Sequence, residues 1–463
     1  MPVNSKHIQV EQSQSKWKLT RDCMKGPKAM RQAGLDYLPH PNATGDDAAQ
    51  RYKDYAMRAI FTNVIKPTND SMVGMAFRKP PLVEMPTQLE YLIDNATGSG
   101  VTLEQLAKLT VSNLLITGRY GLLADYPTVE AGQSEAAVSA QGIQANIKTY
   151  IAESIINWET TNINGVNVLS LVVLKEDYML AADKFSGTSH LQYRVLELVD
   201  GLYTISLYRD GAIIGDPLEP KDSTGARLKF IPFVMAGAYA NDPDVDEAPL
   251  YDIAEINIGH YRNSADKEEG LFLHSQPMLH LDIGDMNATA WNEANPHGVQ
   301  VGARRGLITA GGGKASLLQT VADDAISKEM SSKMENMKAI GARLVDNSGP
   351  AETATAAMLR HSGTNSVLTN VVQNASSALE LVLLWAGSVF MGVNEAPVYQ
   401  INDDFYDKQA DAATIEASIK LYDRGVIAKA DLRESARQTG MINADRTDED
   451  LDAESEAVNP LNE

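Results

Sequence analysis

Apolar positions recur at helical spacing along 322–345. Ile326, Met330, Met334, Met337, Ile340 and Leu344 step by three and four, so they form one stripe on one helix face. Lys328, Ser332, Glu335 and Lys338 fall off that stripe. Asp346, Asn347, Ser348, Gly349 and Pro350 then end the pattern, because each favours a turn. A second helical pattern covers 351–393, and Gly363, beside Ser362 and Asn365, marks a kink in it. Glu352, Arg360 and Glu380 are its only charges. A solvated helix carries a charged face, so this one is expected to pack on several sides, in a large core or against copies of itself. Its apolar run 381–393 is shorter than the ~20 residues that span a bilayer.

The remaining pattern alternates helical and strand signals. Residues 1–40 are polar and locally basic (Lys6, Lys16, Lys18, Arg21, Lys25, Lys28, Arg31). They read as a solvated helix or peripheral arm, or as an arm that contacts an acidic neighbour or nucleic acid. A loop over Tyr37–Asp47 precedes a helix with Tyr52, Tyr55, Ala59, Ile60 and Val64, which Pro67 interrupts. The prolines of Phe77–Pro86 predict extended chain. Thr102 opens a helix that Gly118 closes, and Tyr120–Pro127 reads as a buried strand. Thr128–Thr149 reads as a surface insertion. Strands are predicted at Val166–Lys175, Leu191–Val199, Leu202–Arg209 and Leu228–Val234, with hairpin turns at Asp200-Gly201 and Asp210-Gly211. An acidic linker, Ala240–Pro249, leads into a helix reaching His274. Gln276–Ile283 is a predicted strand, 285–302 a loop, and Val299–Val301 and Gly306–Thr309 short strands. Val398–Ile401 is a strand, Asp411–Tyr422 and Lys429–Thr439 are helices, and the acidic stretch 444–457 is expected to be disordered.

Composition narrows the function. A chain of 463 residues, 44% of them hydrophobic, buries a sizeable core, and its length suggests about two to four domains or layers. A net charge of -21 argues against a duplex-binding protein with a wide basic face. The single cysteine, Cys23, excludes an internal disulfide and a multi-cysteine metal site. With no apolar signal core and no transmembrane run, an intracellular origin is expected.

Motifs for catalysis fail one by one. Ile308–Ser316 contains three glycines and a lysine, but the phosphate loop needs glycine where Ile308 stands and Ser or Thr where Ala315 stands. Asp242, Asp244 and Asp246 alternate like a calcium loop, yet Glu247 occupies the glycine position and Ile253 the final glutamate position. His260, His274 and His280 lack the spacing that puts two histidines on one helix face. Cys23 has no nucleophile signature, and the nucleophile elbow is missing. No enzyme activity, cofactor or metal is expected.

Four stretches, Tyr37–Pro41, Val73–Pro81, Gly118–Pro127 and Ala351–Gly363, together with the element order, resemble portal proteins of tailed bacteriophages over about residues 30–440. The resemblance implies an α+β portal fold, with a mixed α/β wing, two stem helices, a small β clip, a long kinked helix and a helical crown. Its layers are a wing with N-terminal arm at 1–248, stem helices at 249–274 and 322–345 and a clip at 275–321. A tunnel loop at 346–350, a long wing helix at 351–393, a crown at 394–443 and an acidic disordered tail at 444–463 complete it. It implies a homo-oligomeric, dodecameric ring at one capsid vertex of the virion, assembled in the host cytoplasm, with no membrane partner. Double-stranded DNA would pass through it during packaging and ejection. Terminase, then a head–tail adaptor, would dock on the clip, and the major capsid protein would surround it. Arg304, Arg305 and Lys314 become candidate clip contacts, and Asp346 to Pro350 the loop facing DNA. The charge-poor second helix would then pack against neighbouring subunits. A non-channel adaptor or scaffold of a phage particle is the competing reading.

Overall fold

The computed structural model describes residues 2–41, 47–127, 144–181, 185–275, 278–285, 287–294, 296, 314–318, 324–345, 366–403, 405, 412–438, 442 and 446–452. The fold is α+β, as expected. The chain divides into two compact units, Met1–Gly74 with Pro81–Ile401, and Met75–Pro80 with Asn402–Glu463.

The first unit opens with α1 (Ile8–Lys25), whose Val10, Trp17, Leu19, Thr20 and Cys23 are buried. Its cations meet acids of the same unit: Lys16 pairs with Glu247 at 2.9 Å, Lys18 with Asp36 at 3.0 Å and Arg21 with Glu153 at 2.6 Å. The basic segment is therefore a docked helix rather than a peripheral arm. Next come α2 (Pro27–Ala33), α3 (Ala48–Arg58) and α4 (Ile65–Ala76). Pro67 does not interrupt a helix. It sits in the first turn of α4, where a missing N–H costs little, and the break falls at 59–64.

After β1 (Leu82–Glu84) and α5 (Tyr91–Asp94), α6 spans Leu103–Thr117 with both ends fixed locally. Thr102 Oγ accepts from the Gln105 N–H, and the Gln105 side chain accepts from the Thr102 N–H, a complete capping box. Gly118 closes the helix at φ 72°, and a Cβ there would lie 2.4 Å from the Asp246 carbonyl oxygen. Both conditions demand glycine.

The chain then enters β2 (Arg119–Asp125), the central strand of an antiparallel sheet between β3 (Asn146–Ile151) and β9 (Phe233–Gly237). The expected insertion over Thr128–Thr149 thus ends in a paired strand, and 128–143 lie outside the described residues. Between β3 and β9 runs an antiparallel meander: β4 (Ile155–Ile163), β5 (Val166–Ala181), β6 (Gly187–Val199), β7 (Leu202–Arg209) and β8 (Ala212–Ile213). Asn164-Gly165, Asp200-Gly201 and Asp210-Gly211 all have positive φ at both positions, the turn geometry whose twist matches paired strands. Only the last two were expected, and β4 was missed with the first.

From α7 (Tyr251–His274) the chain passes through β10 (Met278–Asp282), α8 (Ala288–Ala294) and β11 (Lys314–Leu318) to α9 (Asp324–Val345). The predicted loop 285–302 therefore holds a short helix. The expected strands at 299–301 and 306–309 lie outside the described residues, as does Gly363. The next helix, α10, spans Val367–Leu384, continues as a π-helical turn to Met391 and ends at Gly392. Ser366 precedes it in extended conformation and caps it through the Thr369 N–H, so the pattern over 351–393 is not one unbroken helix. β12 (Val398–Gln400) pairs with β1.

The core lies where α10 packs on β9, β2, α6 and β12. Leu368, Val371, Val372, Ala375, Leu379, Val382 and Leu383 are fully buried there. Burying each leucine or valine contributes about 1.5–3 kcal/mol. By length and composition Val367–Met391 could also cross a membrane. The helix is longer than the apolar run 381–393, but Asn370, Gln373, Asn374 and Glu380 interrupt the added turns, and half of the helix is buried inside the unit. Its apolar side chains serve the interior of the unit.

In the second unit, α11 (Ala412–Asp423) and α12 (Lys429–Gln438) precede a helical turn at 448–452. Thr447 Oγ accepts from the Asp450 N–H, and Asp450 accepts from the Thr447 N–H. Part of the tail expected to be disordered is thus ordered by its own cap.

Candidate functional site

The helices α7 and α9 lie side by side and antiparallel. Ile253 is the neighbour of Gly341, while Gly259 and Asn263 are neighbours of Lys333, so one sequence rises as the other falls. The stripe predicted on α9 is its covered face: Met337 is buried, and Ile326, Met330, Met334, Ile340 and Leu344 are half-buried. Lys328, Ser332, Glu335 and Lys338 are exposed. Across the seam Lys333 Nζ donates to Asn263 Oδ1 at 2.6 Å, and within α9 it pairs with Glu329. His260 is buried beside Lys333. Burial, then the lysine charge, holds its imidazole below the usual histidine range.

The opposite side of α7 is tied far more firmly. The extended break 59–64 runs along it, and α7 side chains meet its backbone. Buried Asn257 donates to the Thr62 carbonyl at 2.9 Å and accepts from the Val64 N–H at 3.4 Å, and Ser264 accepts from the Ile60 N–H. Tyr55 donates to Asp266 at 2.6 Å, Arg58 pairs with Glu269, and Arg58 also lies over the Phe272 ring. These partners explain why residues 59–64 leave the helix although their pattern is helical: their backbone groups find side-chain partners instead.

The excursion between the two helices is an antiparallel ribbon. In its register Lys314 stands opposite Asp282, and His280 opposite Ser316. All four are exposed. Lys314 is the one predicted clip contact within the described residues. Arg304, Arg305 and the turn Asp346, Asn347, Ser348, Gly349 and Pro350 lie outside them. Among the described residues no group of three or more His, Cys, Asp or Glu could hold a metal. Burial pushes the Cys23 thiol up to about 12, which leaves it unreactive at neutral pH.

Sequence reasoning missed a buried cation at the start of β2. Arg119 is 1% exposed. Its guanidinium lies 4.1 Å over the Trp158 ring and donates to the Pro243 carbonyl at 2.9 Å. The His7 ring stacks on the same tryptophan at 4.0 Å. Burial lowers the pKa of this arginine, and the charges of Asp242, Asp246 and Asp244, the alternating acids that failed the calcium-loop pattern, partly offset that effect. Their carboxylates also organise the loop: Asp246 accepts from the Tyr239 and Ala240 N–H groups, and Asp242 from the Asp244 N–H. The segment read as an acidic linker is a folded loop that delivers the chain to α7, where the Leu250 N–H donates to the Leu115 carbonyl.

The family described as a domain of unknown function (DUF4055) matches residues 249–388, which run from the start of α7 into the π-helical turn after α10. No curated protein matches. Among solved structures, a chain in the neck of an empty GTA particle computed with C6 symmetry is 12% identical, with a TM-score of 0.43, covering 87% of this chain and 96% of that one. A chain in the virion of a native gene transfer agent (GTA) particle is also 12% identical, with a TM-score of 0.40 and coverage of 87% and 97%. A chain in the neck of the native particle computed with C12 symmetry is 13% identical, with a TM-score of 0.40 and coverage of 88% and 98%.

Proposed function

We propose that this chain is a portal-type subunit, whose copies close into a ring at one capsid vertex and pass double-stranded DNA during packaging and ejection. The observation that carries this reading is the antiparallel pair α7–α9, joined by an excursion that contains β10, α8 and β11 and followed by the core helix α10. That succession is the stem, clip, stem and wing helix implied by the sequence resemblance. The excursion is the surface where terminase and then a head–tail adaptor dock. The acidic balance of -21 suits a bore through which DNA slides, since few cations are there to hold phosphates. The reading gives the chain no catalytic step and no cofactor.

Electron microscopy of the purified protein tests it. Closed rings with a central hole of at least ~20 Å, wide enough for duplex, are expected. A stable monomer or dimer at high protein concentration overturns the reading. Within it, Asp346→Lys with Asn347→Lys slows packaging if that turn lines the bore, and unchanged packaging removes the turn from the channel.

A further inference from the structure

The second unit contains a row of cations already occupied by anions. Lys429, Arg433 and Arg437 are spaced four apart on α12, so they share one face at a rise of ~6 Å per step. The ordered turn at 448–452 lies against them. Asp452 Oδ1 is 2.5 Å from both Lys429 Nζ and Arg433 Nη2, and Asp448 pairs with Arg437. Two carbonyls add to the match: Asp448 accepts from Arg433 at 3.2 Å, and Arg446 accepts from Arg437 at 3.1 Å. Carboxylates and carbonyls along a straight cationic row offer the guanidinium forks what a phosphodiester backbone offers them.

We propose that α12 carries a binding surface for a nucleic-acid backbone, held closed by the chain's own acidic segment 446–452. The carboxylates are open to water, with the side chains of Asp448 and Asp452 42% and 48% exposed, although the segment largely covers Arg433 and Arg437. Ion pairs with one open partner are salt-screened, so a polyanion can displace the segment. The chain as a whole carries a net charge of -21, so this row stands out as a local concentration of cations. The displacement is an exchange of one set of anions for another, and it needs no change in α12 itself.

The test is anisotropy of a fluorescein-labelled DNA duplex with the full chain, its Asp448→Asn/Asp452→Asn variant and a chain ending at Asn443. Both altered chains are expected to bind at least about tenfold more tightly at 50 mM salt, with a log–log salt slope steeper by up to about 3. Adding Arg433→Gln and Arg437→Gln to the first variant is expected to abolish the gain. Circular dichroism melts identify any variant that fails to fold, and the other then decides. No gain in either folded variant overturns the proposal. So does a gain that survives loss of the two arginines, or one that polyglutamate competes away as well as DNA does. The measurement reads single chains and rings alike, so its failure leaves the channel reading standing.

Discussion

The helices α9 and α10 bury apolar side chains in different ways. The charge-poor helix α10 is covered by β9, β2, α6 and β12, and only a narrow strip that includes Gln373, Ser377, Leu381 and Ser388 stays exposed. By contrast, α9 covers one stripe against α7 and leaves Lys328, Glu335 and Lys338 in the open. A lack of charges was expected to mean either a core or contact between copies, and the resemblance favoured copies. The described part of α10 is instead a core helix of its own unit. Low charge reports how many sides of a helix are covered, not which molecule covers them. In a ring of such chains, surfaces other than the buried face of α10 must therefore carry the contacts between subunits.

The largest effect expected from this contrast is in the core. Leu379→Ala in α10 should destabilise by about 2–5 kcal/mol, as large-to-small changes at closed sites do. Ser332→Ala on the open face of α9 should stay within about 0.5 kcal/mol. Urea titration of the two variants checks both, and equal losses would break the comparison. A second, smaller effect belongs to α7. Asn257→Leu leaves the Thr62 carbonyl and the Val64 N–H buried without their partner, at a cost of about 1–3 kcal/mol. Amide exchange should locate that loss at 59–64, since the α7–α9 seam does not use Asn257.

Much of this was legible where the cause is local. Thr102 and Gly118 bound α6 through their own caps, and all six residues of the predicted stripe lie on the covered face of α9, with Ser327, Lys333 and Gly341 added to it. The turns at Asp200-Gly201 and Asp210-Gly211 were also read correctly. What escaped depends on distant chain. Residues 59–64 leave the helix because Asn257 and Ser264, about two hundred positions away, satisfy their backbone. Arg119, between the helix stop at Gly118 and the strand predicted from Tyr120, drew no notice, because Trp158 and the loop after Tyr239 that bury it are remote in sequence. The same distance made Asp242, Asp244 and Asp246 look like part of an acidic linker, when they belong to a folded loop whose charges act on buried Arg119. Asn164-Gly165 carried a local signal as clear as the other two hairpins and was missed with β4.

The histidine in the α7–α9 seam gives a third test. Burial and the Lys333 charge lower the pKa of His260 in the folded state. The unfolded chain therefore takes up the proton first, near the ordinary value of about 6.5. The resulting stability is full above that value and is lost as pH falls from it towards the folded pKa. Replacing His260 with Leu should flatten the stability profile between about pH 7.5 and 5 relative to the parent, measured by urea midpoints. An unchanged profile would remove His260 from the acid response.

The smallest expected effect comes from Lys333, and its sign changes the reading of the seam. Lys333→Met loses the contacts to Asn263 and Glu329 but keeps the apolar stem, so at neutral pH it should cost no more than about 1 kcal/mol. It also removes the like charge that disfavours protonated His260. The folded pKa should therefore rise towards the unfolded one, and less stability should be lost on acidification. The gap between variant and parent should narrow from pH 7.5 to pH 5, and imidazole titration by NMR should show the upward shift directly. A gap that stays the same from pH 7.5 to pH 5 would mean that the Lys333 charge does not reach His260, and that Lys333 holds α9 by packing and its two polar contacts alone.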